Sequence, residues 1–129
     1  MLILTSLLIG LAACQSQKEK ELAQQRLSTA QVTEIATYDF KAGILEAEAL
    51  SYAQSVNEFL RSNPGFIQRT CSRTAEGKWI DVILWESMAL AEAAAEKAAQ
   101  TEVCLTFFSK MEEKTSTYLL AQEQFKISK

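Results

Sequence analysis

Histidine is absent from the sequence. An imidazole acid–base relay therefore has no candidate. Zinc sites built on Cys and His fail too, because only Cys71 and Cys104 fall in the folded part of the chain. No metal and no cofactor is expected. Proline occurs once and glycine four times; there is no glycine-rich phosphate loop, no serine nucleophile elbow and no paired-carboxylate motif. Excess positive charge is also lacking: 13 Lys and Arg stand against 16 Asp and Glu, for a net charge of -3 and an isoelectric point near 5.1. Such a chain offers no basic patch to a phosphate backbone, so nucleic acid is not an expected partner. What remains is an ordinary globular composition, 48% apolar and 22% charged, over 129 residues, enough for one domain and too few for two.

The ends of the chain differ in character. Met1 to Ala13 is almost wholly apolar, through Leu2, Ile3, Leu4, Leu7, Leu8, Ile9 and Leu11. Crossing a bilayer takes about 20 apolar residues, so the segment has the length of a signal-peptide apolar region and not of a span. Leu11-Ala12-Ala13-Cys14 resembles the lipobox of bacterial lipoproteins, although no Lys or Arg precedes the apolar region. The resemblance implies a signal peptide over 1–13, cleavage before Cys14, and acylation of its thiol, with palmitate among the chains. The mature protein would then be held by lipid to a membrane of the cell envelope, on its periplasmic or extracellular face. Gln15, where an Asp favours the inner membrane, leans towards the outer membrane of a Gram-negative cell. Acyl chains contribute about 0.8 kcal/mol per buried CH₂, so two or three of them anchor stably. Gln15 to Thr29 is polar and has no Gly or Pro. It reads, with Cys14, as a tether over 14–29, with helix-forming composition from Lys18 to Leu27, ahead of a domain over 30–129.

Regular patterning starts at Val32. Val32 to Phe40 is β-branched and aromatic with partial alternation, which predicts a strand. Leu45, Ala49, Tyr52, Ala53, Val56, Phe59 and Leu60 recur at three- and four-residue steps and predict one helix. Pro64 and Gly65 end it. Phe66 to Thr74 reads as a second strand, and Ala75-Glu76-Gly77-Lys78 as a hairpin turn. Trp79 to Trp85 is the third strand. One of its faces carries Ile80, Val82 and Leu84, the other Trp79, Asp81, Ile83 and Trp85. Both are largely apolar, so burial on both sides is expected: helices cover one face, and a partner subunit the other, with Trp79 and Ile83 as the candidate dimer face. Ser87 can cap an Ala-rich helix from Met88 to Gln100. A second stripe follows in Val103, Cys104, Phe107, Phe108 and Met111, then a last strand from Thr115 to Phe125. The order β-α-β-β-α-β is the ferredoxin-like arrangement, an α+β fold with an antiparallel sheet and two helices on one face.

Pro64-Gly65-Phe66 entering a strand, a hairpin, and Trp79-Ile-Asp-Val-Ile-Leu-Trp85-Glu86-Ser87 before an Ala-rich helix resemble the antibiotic biosynthesis monooxygenase-like domain of the dimeric α/β-barrel superfamily. The Phe107-Phe108 pair is similar to many uncharacterised members. The resemblance covers about Val32 to Phe125. It implies a homodimer pairing sheet to sheet. It also implies a choice of roles: an envelope protein of uncharacterised function that binds a small apolar ligand, or a cofactor-independent monooxygenase acting on an aromatic or quinone-like substrate. Haem-binding relatives use a His ligand that this chain lacks.

Candidate residues carry two readings each. Tyr38, Trp85 and Phe107, with Trp79 and Phe108, either frame a cavity for a flat apolar ligand or fill the core. Arg69, Arg73 and Asp81 either line that pocket or form a cross-strand salt bridge. Small side chains in the Ala-rich helix either leave room for a ligand or allow close packing. Cys71 and Cys104 either pair in a disulfide or are separate small buried thiols. The candidate pocket is thus Tyr38, Arg69, Asp81, Trp85 and Phe107, and no catalytic residue is assigned.

Overall fold

The computed structural model describes residues 4–129, with the side chains of 12–27 and 29–129. Its elements are α1 (Leu4–Thr29), β1 (Val32–Tyr38), α2 (Glu46–Ser55), α3 (Asn57–Ser62), β2 (Phe66–Arg73), β3 (Trp79–Trp85), α4 (Met88–Ala98), α5 (Glu102–Ser109) and β4 (Thr117–Gln122), with a 3-10 turn at Glu113–Thr115 before β4. The strands form one antiparallel sheet in the order β2-β3-β1-β4. The first and third strands in sequence lie at its centre. This is the ferredoxin-like α+β arrangement.

Period-two alternation decides which side chains meet the helices. Val32, Glu34, Ala36 and Tyr38 of β1 share a face with Trp79, Asp81, Ile83 and Trp85 of β3 and with Arg69 and Cys71 of β2, as the pairing register requires. Trp79, Asp81, Ile83 and Trp85 are all buried, whereas Ile80, Val82 and Leu84 are intermediate. The core runs from this face into Ala49, Ala53, Val56 and Leu60 of the first helical layer and Ala91, Ala94, Cys104 and Phe107 of the second. This corrects one expectation. Trp79 and Ile83 belong to the covered face and cannot meet a partner subunit. The open face of the sheet instead presents Ile80, Val82 and Leu84 beside Ile35 and Leu119. The strand does carry two apolar faces; Trp79 and Ile83 lie on the same covered face as the expected pocket residues Asp81 and Trp85.

The helices show where pattern and tertiary contacts part. The apolar stripe from Leu45 to Leu60 predicts a single helix, but it divides at Val56 (φ -87°, ψ 0°). There, in the last turn of α2, the Ala53 carbonyl accepts from Arg69 Nη1 at 2.6 Å, so a side chain from the sheet satisfies one of the helix-end carbonyls. Ser87 caps α4 as expected, its Oγ accepting from the Leu90 amide. Gly65 is required at the entry to β2. It has φ +80°, and a Cβ there would come within 2.5 Å of Leu90 on α4. Gly77 closes the β2–β3 hairpin at φ +93°.

β1 ends at Tyr38, with Phe40 continuing only as an isolated bridge to Met111. β4 ends at Gln122, and Phe125 and Ile127 beyond it are exposed. The 14–29 segment is helical to Thr29, and Cys14 is an exposed free thiol within α1. The expected signal peptide falls partly on residues 1–3, outside the described residues. No described helix is long and apolar enough to cross a membrane.

Candidate functional site

A cavity of about 390 Å³ lies between the inner face of the sheet and the helices. Its size is that of a small-molecule site. The walls are mostly apolar: Val56, Phe59 and Leu60 on one side, Phe107, Phe108 and Met111 on another, and Ile83 and Trp85 on the floor. Ala94, Ala95 and Ala98 line it from α4, where small side chains leave the space open.

All five candidate pocket residues reach this cavity. Tyr38, Arg69, Asp81, Trp85 and Phe107 come from β1, β2, β3 and α5 and meet only because the sheet register brings them together. Tyr38 packs edge-on against Phe107 with ring centroids 5.6 Å apart and stacks on Trp79 at 6.4 Å. Both readings of the aromatics therefore hold in part. Trp79 is core behind Tyr38 and does not line the cavity, while Tyr38, Trp85 and Phe107 are core residues whose surfaces also form its wall.

The polar groups fall into two sets. Arg69 Nε and Nη2 bind Asp81 Oδ1 and Oδ2 at 2.9 and 2.7 Å, a bidentate pair. Arg69 Nη1 donates to the Ala53 carbonyl and to Asn57 Oδ1, and the Tyr38 hydroxyl donates to Asp81 Oδ2 at 3.1 Å. Both Asp81 oxygens and four of the five Arg69 N–H groups are engaged within this set. Burial first, then the Asp81 charge, holds the Tyr38 hydroxyl far above its ordinary range. Tyr38 is thus a fixed, neutral phenol.

The second set was not found from sequence. Glu34, on β1, accepts a hydrogen bond from Trp85 Nε1 at 2.8 Å through Oε2. Burial raises its pKa, the Trp85 bond and Arg69 oppose the rise, and the Asp81 charge adds to it. Tyr118, half exposed on β4, lies near enough for Glu34 to matter: burial first, then Glu34 and Glu92, pushes its hydroxyl up to about 12. A signal for Glu34 did exist. It is the acidic residue in the inward alternation Val32-Glu34-Ala36-Tyr38, at a position where an apolar side chain is the norm.

Other candidates sit elsewhere. Arg73 points away from the cavity to an exposed ion pair with Glu46, its guanidinium 5.8 Å from the Trp79 ring centroid. Cys71 and Cys104 are free thiols with no disulfide between them, and only Cys104 fits the buried-thiol reading, since Cys71 is exposed. Cys71 lies 3.9 Å from the Tyr38 hydroxyl, while Cys104 is buried on α5 against the cavity. Burial and the Asp81 charge push the Cys71 thiol up to about 11, so it is no ready nucleophile. The described residues hold no cluster of three or more His, Cys, Asp or Glu suited to a metal.

No family model and no curated protein matches the chain. Solved structures do. SnoaB from Streptomyces nogalater, a cofactor-independent oxygenase, superposes in a mutant form with a TM-score of 0.64 at 16% identity, covering 78% of this chain and 99% of SnoaB. The monooxygenase of the ActVA-Orf6 gene of Streptomyces coelicolor, solved with nanaomycin D, gives 0.61 at 14% identity, over 79% of this chain and 95% of that one. A protein from Arabidopsis thaliana gives 0.63 at 10% identity, over 75% and 98%. The chain has the fold of antibiotic biosynthesis monooxygenase-like proteins. At these identities the likeness concerns the fold, and the fold alone does not fix the chemistry.

Proposed function

We propose that the domain is a cofactor-independent monooxygenase acting on a flat aromatic or quinone-like molecule held in the cavity between sheet and helices. The observation that carries this reading is the cavity itself: about 390 Å³, apolar on most sides, with a half-buried carboxylate on one wall. The likeness to two oxygenases along nearly their whole length supports it.

In such a reaction the substrate supplies the electrons. A ring-flanked CH₂ loses a proton to give a stabilised carbanion, which passes one electron to O₂. The radical pair combines into a peroxide, and loss of water leaves a carbonyl. In sum, R₂CH₂ and O₂ become R₂C=O and H₂O. The protein's part is to enclose the ring system and to take a proton at the start. Glu34 is the group suited to accept it, since a carboxylate raised above its usual range is a better base at neutral pH.

The assembly and address belong to the same proposal. Two copies pair through the open sheet face, where Ile80, Val82, Leu84, Ile35 and Leu119 form an apolar stripe. The lipobox at Cys14 ties the protein to the envelope membrane, with the 14–29 helix as spacer. Cys14→Ser should move the protein from the membrane to the soluble fraction; unchanged membrane fractionation would remove the lipid anchor.

The deciding experiment is oxygen uptake with anthrone, whose CH₂ lies between two rings opposite a ketone. Uptake above the uncatalysed rate, with anthraquinone formed one for one, is expected. It should fall by about 10²-fold or more in Glu34→Gln, the usual scale for loss of a positioned base. It should also fall in Ala98→Phe, which fills the cavity. Tight anthrone binding without uptake would make the domain a binding protein.

A further inference from the structure

The charges around the cavity are unequal in a way that bears on what enters it. Three charged side chains line it, Glu34, Arg69 and Asp81. Arg69 and Asp81 neutralise one another in a bidentate pair with exposures of 7% and 6%, and Arg69 Nη1 donates to Ala53 and Asn57. Four of the five Arg69 N–H donors are thus spent within the protein, and its charge is balanced by Asp81. Glu34 is different. Trp85 occupies Oε2, while Oε1 takes no hydrogen bond from the described side chains and is open to solvent in the cavity rather than buried. The cavity therefore carries one unneutralised negative charge and one unfilled acceptor, on the same residue.

We infer that Glu34 selects the ligand class: the cavity takes neutral ring systems carrying a phenolic or enolic hydroxyl, which donates to the free Glu34 oxygen, and rejects ring systems carrying a carboxylate. This deepens the proposed function and rests on it. Two physical terms act together. A hydroxyl donating to a carboxylate makes a charge-assisted bond, about twice as strong as a neutral one. A carboxylate entering the same space meets a like charge in a partly desolvated site and finds no free cation, since Arg69 is already paired. The fixed Trp85 donor keeps the Glu34 side chain on the cavity wall, so the acceptor needs no rearrangement to meet a ligand.

The test is equilibrium binding of naphthol and naphthoate to the full chain at pH 8, without oxygen, followed by tryptophan fluorescence. The two probes share a ring system and differ in the group offered to Glu34. Naphthol should bind about tenfold or more tighter than naphthoate, the consequence of one good charged hydrogen bond against one repulsion. In Glu34→Gln the gap should close, mainly because naphthoate gains. Equal binding of the two by the wild type, or a gap that Glu34→Gln leaves unchanged, would overturn the inference. The wild-type comparison stands alone where the variant fails to fold. Failure of both probes to bind would instead overturn the cavity as a ring-binding site, and with it the proposed function. Loss of oxygen uptake with the binding preference intact would overturn the oxygenase reading only.

Discussion

Arg69 and Asp81 meet diagonally across the β2–β3 pair, bridging strand and strand while the same guanidinium reaches up to the Ala53 carbonyl at the end of α2. One side chain thus ties the sheet to the helical layer at the point where that layer breaks. The pair sits in the cavity wall and is almost fully buried.

Removing one member of such a pair leaves the other charge without compensation, at a cost of about 3–5 kcal/mol. Arg69→Met and Asp81→Leu should each destabilise the domain on that scale, read as a lower midpoint in urea with an unchanged slope. The double variant should lose clearly less than the sum, because no charge is then left unpaired. If the single variants cost no more than an exposed pair, about 0–1 kcal/mol, the pair is hydrated in solution and the wall is not dry.

The two faces of β3 make a second prediction. Val82 lies on the open face and Ile83, the next residue, in the core. Val82→Asp should leave the circular dichroism spectrum intact and convert a dimer to a monomer in sedimentation. Ile83→Asp should unfold the domain, since it places an unpaired charge among core side chains. A dimer that survives Val82→Asp, together with a further open-face change such as Leu84→Asp, would exclude the sheet face as the interface.

These neighbours also show how far the sequence could be read. The boundaries of β3 and the cap at Ser87 followed from local pattern, because alternation and capping are local physics. Which side of β3 meets the helices did not, since both faces are apolar and the decision is made by Tyr38, Ala53 and Phe107 from distant parts of the chain. The five pocket residues were legible as chemistry-bearing types on inward-facing strands and a helix stripe. Glu34 was marked only by its place in the inward alternation of β1; its role depends on its partner Trp85, two strands of sequence away. The break at Val56 was hidden for a similar reason: the apolar stripe continues through it, and the guanidinium that binds the Ala53 carbonyl there lies on another element.

Glu34 gives the last prediction, one that needs no ligand. Burial raises its pKa in the folded chain above the ordinary 4.5, with the Trp85 hydrogen bond and Arg69 opposing and Asp81 adding to the rise. Tyr118 also faces it, but its hydroxyl titrates near 12, far from this range. The folded state therefore holds the Glu34 proton to higher pH than the unfolded state does. Where the folded state binds more protons, stability falls as pH rises. The Glu34 contribution is thus fully present below 4.5 and is lost as pH climbs through the raised folded value. Other carboxylates titrate over the same interval, so the quantity to measure is the difference between wild type and Glu34→Gln in urea unfolding, from pH 4 to pH 8. The variant should gain on the wild type as pH rises through that window and then hold a constant margin. A difference that is flat would show that Glu34 ionises as a solvated carboxylate does, and one that runs the other way would show that the Trp85 hydrogen bond outweighs burial. In either case Glu34 is no stronger a base than an ordinary carboxylate, and the base for the proposed chemistry would have to be sought elsewhere.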